Sequence, residues 1–83
     1  MESVLIDGVQ VSVTEVYRPD NFLCRLLKTP ASEYILEYVV STGPYKIDII
    51  HYHRFSAEQA AQFRSGELDV GELAVELERL RQS

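Results

Sequence analysis

Residues 45–59, YKIDIIHYHRFSAEQ, constrain this chain more than any other stretch, because the spacing of their apolar residues changes from two to about 3.6 at a single point. Alternation puts Tyr45, Ile47, Ile49, His51, His53 and Phe55 on one side of a strand and Lys46, Asp48, Ile50, Tyr52 and Arg54 on the other. The first set is expected to face a core. Ser56 with Gln59 three residues later has capping-box spacing, in which each side chain satisfies a backbone N–H left free at a helix start. Phe55 precedes the cap and Ala60 occupies the fourth helical position, the spacing of a hydrophobic staple. A strand therefore runs directly into a helix, with both histidines within a turn of the corner.

The chain before this corner reads as more strands. Asp7-Gly8 between apolar alternations predicts a hairpin with a two-residue primed turn, pairing Ile6 with Val9 and Val4 with Val11. Val4, Ile6, Val9, Val11 and Val13 then share a buried face, and Ser3, Leu5, Gln10, Ser12 and Thr14 a wet one. The second strand ends by Tyr17, since Arg18-Pro19-Asp20-Asn21 is turn chemistry. FLCRLLK (residues 22–28) fits a strand with Phe22, Cys24 and Leu26 on one face, in preference to a short helix capped by Asp20. Residues 33–41 pose the same choice. Thr29-Pro30-Ala31-Ser32 resembles a helix start, but the aromatic and β-branched density of YILEYVV favours a strand.

With Ser41-Thr42-Gly43-Pro44 as a four-residue hairpin loop, Val40 pairs with Tyr45, Tyr38 with Ile47, Leu36 with Ile49 and Tyr34 with His51. That register sets Glu37 directly across from Asp48, with Lys46 as a diagonal neighbour that neutralises much of the repulsion. A loop one residue longer or shorter would reverse every face.

After the helix from Ala57, Gly66 is a natural left-handed stop, and Asp69 with Glu72 opens a second helix. Val70, Leu73, Leu77 and Leu80 form its apolar stripe, flanked by the pairs Glu76–Arg79 and Glu78–Arg81, and Gln82 and Ser83 are expected to fray. Two heptads are too few for an independent coiled coil. The stripe is expected to pack on the sheet, with homodimerisation through this helix as the alternative.

The expectation is a single α+β domain over residues 1–83: an antiparallel meander of about five strands with two C-terminal helices packed on one face. The expected core is Val4, Ile6, Val9, Val11, Val13, Leu36, Tyr38, Ile47, Ile49, Phe55, Phe63, Leu73, Leu77 and Leu80. The start, MESVLIDG, lacks a basic region and a leader-like apolar run, and no apolar run approaches the length that spans a bilayer. A single cysteine, Cys24, excludes an internal disulfide. Together these predict an unprocessed cytoplasmic protein.

Charge narrows the partners. The net charge is −5, and the acidity concentrates toward the end: residues 1–55 hold seven acids and five bases, residues 56–83 six acids and three bases. An acidic chain without a basic cluster is repelled by phosphate backbones and anionic lipid, so neither nucleic acid nor membrane is expected, whereas a basic protein is electrostatically favoured.

Candidate chemistry is sparse. His51 and His53 share a strand face about 6.5 Å apart, a spacing that lets two imidazoles share a metal, with Cys24 as a further donor. No sequence spacing supplies the rest of a site, and hydrogen-bonded, half-buried histidines are the plainer reading. Cys24 sits among apolar residues, which favours an inert thiol over a nucleophile. Without a nucleophile, base and charge-stabilising group together, no enzyme and no cofactor is expected. The sequence thus favours a non-enzymatic interaction domain, most concretely an immunity- or antitoxin-like inhibitor that occludes a basic protein. Glu37, Asp48, Tyr52, Glu72 and Glu76 are its expected contacts. The alternative is a small-molecule or metal site at the strand-to-helix corner, using His51, His53 and Cys24.

Overall fold

A computed structural model describes residues 2–20, 23–45 and 47–82. Five strands, β1 (Glu2–Ile6), β2 (Val9–Tyr17), β3 (Cys24–Lys28), β4 (Tyr34–Thr42) and β5 (Ile47–Arg54), precede two helices, α1 (Ala57–Ser65) and α2 (Val70–Gln82). The strands form one antiparallel meander in sequence order, the expected α+β arrangement. Both ambiguous segments are strands. The expected inward side chain of Phe22, the neutralising role of Lys46 and the fraying of Ser83 lie outside the described residues.

The turn chemistry acts as its residues dictate. Asp7 and Gly8 take φ values of 51° and 80°, the pair of positive angles a primed turn needs, and the register Val4↔Val11 and Ile6↔Val9 follows. At the corner, the Gln59 backbone N–H donates to Ser56 Oγ and the Ser56 N–H donates to Gln59 Oε1, completing the capping box. Gly66, at φ 83°, ends α1, and Asp69 caps α2 by accepting from the Glu72 N–H at 3.1 Å.

The central strands are buried on both faces. Cys24, Leu26, Tyr34, Leu36, Tyr38 and Val40 meet Val70 and Ala74 of α2, with Phe55, Ala60, Phe63, Leu73 and Leu77 packed around them. On the opposite face, Leu27 and Ile35 meet Val4, Ile6 and Val13 of the first hairpin. The hairpin reaches that face because β2 serves two partners: residues up to Val13 pair with β1, and those from Thr14 pair with β3. The register slips between Glu15 and Tyr17, an irregularity of the kind that bends a strand and increases its twist. The helices cover one side and the hairpin the other.

Two expectations are corrected. The β4–β5 hairpin pairs Thr42 with Ile47, Val40 with Ile49, Tyr38 with His51, Leu36 with His53 and Glu37 with Tyr52. The connection is residues 43–46 rather than 41–44, so each β4 residue meets a partner four positions later than expected. An even shift keeps every side chain on its expected face. It removes the Glu37–Asp48 opposition and places Asp48 across from Ser41, whose hydroxyl donates to it. The second correction concerns the core: Val9, Ile47, Ile49 and Leu80 are exposed. Val9 sits at the hairpin tip, and Ile47 and Ile49 lie on the part of β5 next to the 43–46 connection. Leu26, Leu27, Ile35, Val40, Val70 and Ala74 are buried instead.

Candidate partner-binding surface

Register determines where each candidate side chain sits. Arg25, Glu37 and Tyr52 form one row across β3, β4 and β5 on the face covered by the hairpin. Arg25 binds Glu37 with two bonds, Nε to Oε1 at 2.7 Å and Nη2 to Oε2 at 3.2 Å, and the Tyr52 hydroxyl donates to Glu37 Oε2 at 3.0 Å. The same guanidinium holds Glu2 of β1 and Glu15 of β2, and Glu15 also pairs with Arg18. One arginine therefore ties four strands together.

The charges respond accordingly. The hydrogen bond from Arg25 holds the Glu2 carboxyl below its usual range, and that from Arg18 does the same for Glu15. The carboxylates raise the Arg25 pKa. Burial, reinforced by the hydrogen bond to Glu37, pushes the Tyr52 phenol up to about 12. Glu37 and Tyr52, both expected partner contacts, are thus half-buried members of an internal network.

The other expected contacts face water: Asp48, Glu72 and Glu76 are exposed. Their setting follows a division of charge between the layers. Every described glutamate preceding the helices, Glu2, Glu15, Glu33 and Glu37, is in an ion pair with Arg18, Arg25 or Arg54. Among the described residues, no ion pair engages Glu58, Glu67, Glu72 or Glu76 of the helical layer. The expected Glu76–Arg79 pair is absent from these contacts, and Arg81 turns inward to donate from Nε to the Tyr38 hydroxyl at 2.7 Å.

The histidines and the cysteine are each engaged separately. His51 stacks on Tyr38 with ring centroids 5.7 Å apart, and burial, with Arg81 nearby, lowers its pKa. His53 Nε2 lies 3.1 Å from Gln59 Oε1. Because that oxygen already accepts from the Ser56 N–H, the imidazole must donate there, which fixes its tautomer. Cys24 stands in the same cross-strand row as His51 with Tyr38 between them, about 9.6 Å away at normal strand spacing. Its thiol is buried, and burial raises its pKa. Among the described residues, no group of three or more His, Cys, Asp or Glu side chains is arranged to hold a metal. The strand-to-helix corner does carry a cleft of about 440 Å³, but its walls include Tyr34, Arg54, Phe55, Ser56 and Arg64 and neither histidine.

Exposed apolar residues of β5, of which Ile47 and Ile49 were expected in the core, complete the surface. Ile47, Ile49 and Ile50 are 61%, 44% and 54% exposed, and Tyr45 just before them is 86% exposed. Three of the four positions 47–50 are apolar, with Ile47 and Ile49 on one face of this edge strand and Ile50 on the other. The sequence signal was present in the run IDII, whose apolar residues fall on both sides of the strand.

Comparison with protein-family models, curated proteins and solved structures finds no match to this chain. No helix among the described residues is long and apolar enough to cross a membrane.

Proposed function

We propose that this is a non-enzymatic protein-interaction domain that occludes a basic protein partner, in the manner of an immunity protein or antitoxin. The observation that carries the reading is the division of charge. The sheet neutralises its glutamates by ion pairs, while among the described residues Glu58, Glu67, Glu72 and Glu76 of the helical layer are in no ion pair. Unpaired surface carboxylates project a negative field that accelerates encounter with a positive surface and repels phosphate and anionic lipid. Asp48, on the other face of the sheet, is a further exposed carboxylate beside the exposed isoleucines of β5, which add apolar area where direct contact would form.

The reading is tested by capturing the tagged protein from its native lysate at low and moderate salt, beside the variant E72K/E76K. A stoichiometric basic protein that leaves with salt, and that the variant retains poorly, is expected. Recovery of the domain alone, or of a partner indifferent to both salt and charge reversal, would refute it.

A further inference from the structure

β5 is the last strand of the sheet and, among the described residues, pairs only with β4. Proteins normally guard such an edge with proline, a bulge, a lysine or a covering segment. Part of β5 is guarded: Leu5, Ile6 and Asp7 at the end of the first hairpin share a cleft of about 200 Å³ with Ile50, His51 and Tyr52. Residues 47–49 lie outside that cleft. Their register with β4 is regular, and Ile47, Ile49 and Ile50 expose about half or more of their surface.

We infer that this free edge receives an extended segment of the basic partner as a sixth strand, its side chains alternating between apolar and basic. The inference rests on the partner-binding reading above. Main-chain hydrogen bonds supply affinity in strand addition, and the flanking side chains select the sequence. On the helical side, Ile47 and Ile49 lie two residues apart and accept apolar groups. On the opposite side, Asp48 accepts the Ser41 hydroxyl and is paired with no cation among the described residues, so a lysine or arginine beside it completes the match.

A second copy fits less well. The antiparallel register that best matches β5 to itself pairs Asp48 with Arg54 and Ile50 with Tyr52, but it sets His51 against His51 with an Arg81 beside each. It also needs the stretch that the first hairpin already flanks. Self-pairing confined to the free stretch and centred on Ile49 would press Asp48 against Ile50, burying a carboxylate on an apolar side chain.

The test is a titration of the full chain with a blocked peptide alternating valine and lysine, followed by amide NMR shifts and hydrogen exchange. Shifts and slowed exchange at residues 47–50 are expected. Binding should weaken about tenfold or more when the peptide lysines become glutamates. I47K/I50K should abolish it, and D48K should reverse the preference between the two peptides. Both variants change exposed side chains, and far-UV circular dichroism verifies their fold. The proposal is overturned by no binding, equal binding of the two peptides, protection elsewhere, or unchanged binding in I47K/I50K. Self-association lost in I47K/I50K would also overturn it, by assigning the edge to a second copy. If a captured partner still binds I47K/I50K in a salt-dependent way but not E72K/E76K, strand addition fails while the partner-binding reading stands.

Discussion

Arg25 is the residue on which the sheet's polar interior depends, and Arg25→Ala measures that dependence. Its side chain and that of Glu37 are each only 16% exposed, and they share two hydrogen bonds. Truncation leaves the Glu37 carboxylate beneath the hairpin with only the Tyr52 hydroxyl, whereas Glu2 and Glu15, at 45% and 36% exposure, can turn to water. The cost should be set by the stranded Glu37. Breaking a fully buried pair costs about 3–5 kcal/mol, and this one keeps one hydrogen bond and some water, so about 2–3 kcal/mol is expected. For a chain of 83 residues that lowers the melting temperature by roughly 10–20 °C. Arg18→Ala, which removes a pair whose arginine is 63% exposed, should cost under about 0.5 kcal/mol. Urea unfolding of the two variants beside the parent gives both numbers. Removing Glu37 as well, in R25M/E37M, should cost less than the two single changes combined, because no charge is left unpaired. Equal losses in Arg25→Ala and Arg18→Ala would refute the reasoning.

Three more predictions concern the same architecture. Stability should hold near neutral pH and decline at both extremes: Glu2 and Glu15 have folded values below the ordinary 4.5, so their contribution is lost as pH falls below that value. Tyr52 rises from 10.0 to about 12 on folding, so the unfolded chain ionises first and stability falls between those values, which urea midpoints across pH and the variant Y52F would check. Ser56→Ala breaks the capping box and should cost about 1 kcal/mol in urea unfolding, with Ser56→Gly milder. Cys24 should react with a thiol reagent at neutral pH far more slowly in the folded chain than in urea, since its thiol is both buried and raised in pKa.

What the sequence made legible was local. Asp7-Gly8 and the Ser56–Gln59 pair each carry their geometry in a few neighbouring residues, and both act as their chemistry requires. The β4–β5 register misled because Ser41-Thr42-Gly43-Pro44 has turn composition, yet Ser41 and Thr42 continue the strand and the turn begins with the positive-φ Gly43. The adjacent pairs Leu26-Leu27 and Ile35-Leu36 were the available sign that β3 and β4 are covered on both sides, but a reading based on one buried face discounts half of each pair. The Arg25 network lay beyond local reading, since Glu2 and Arg25 are 23 residues apart and meet only because the hairpin folds over the sheet. Glu37 and Tyr52, expected as partner contacts, are hydrogen-bonded within the Arg25 network. The excess acidity of residues 56–83 was legible as a count. That Glu58, Glu67, Glu72 and Glu76 have no ion pair among the described residues, while the glutamates before them are neutralised, required the fold.

The central claim, that the helical layer steers a basic partner, is tested most directly by the association rate constant of the domain with its captured partner as a function of ionic strength. The rate should fall steeply as salt rises, and E72K/E76K should both slow association at low salt and flatten the dependence. A rate that is insensitive to salt, or that the charge reversal leaves unchanged, would contradict the account.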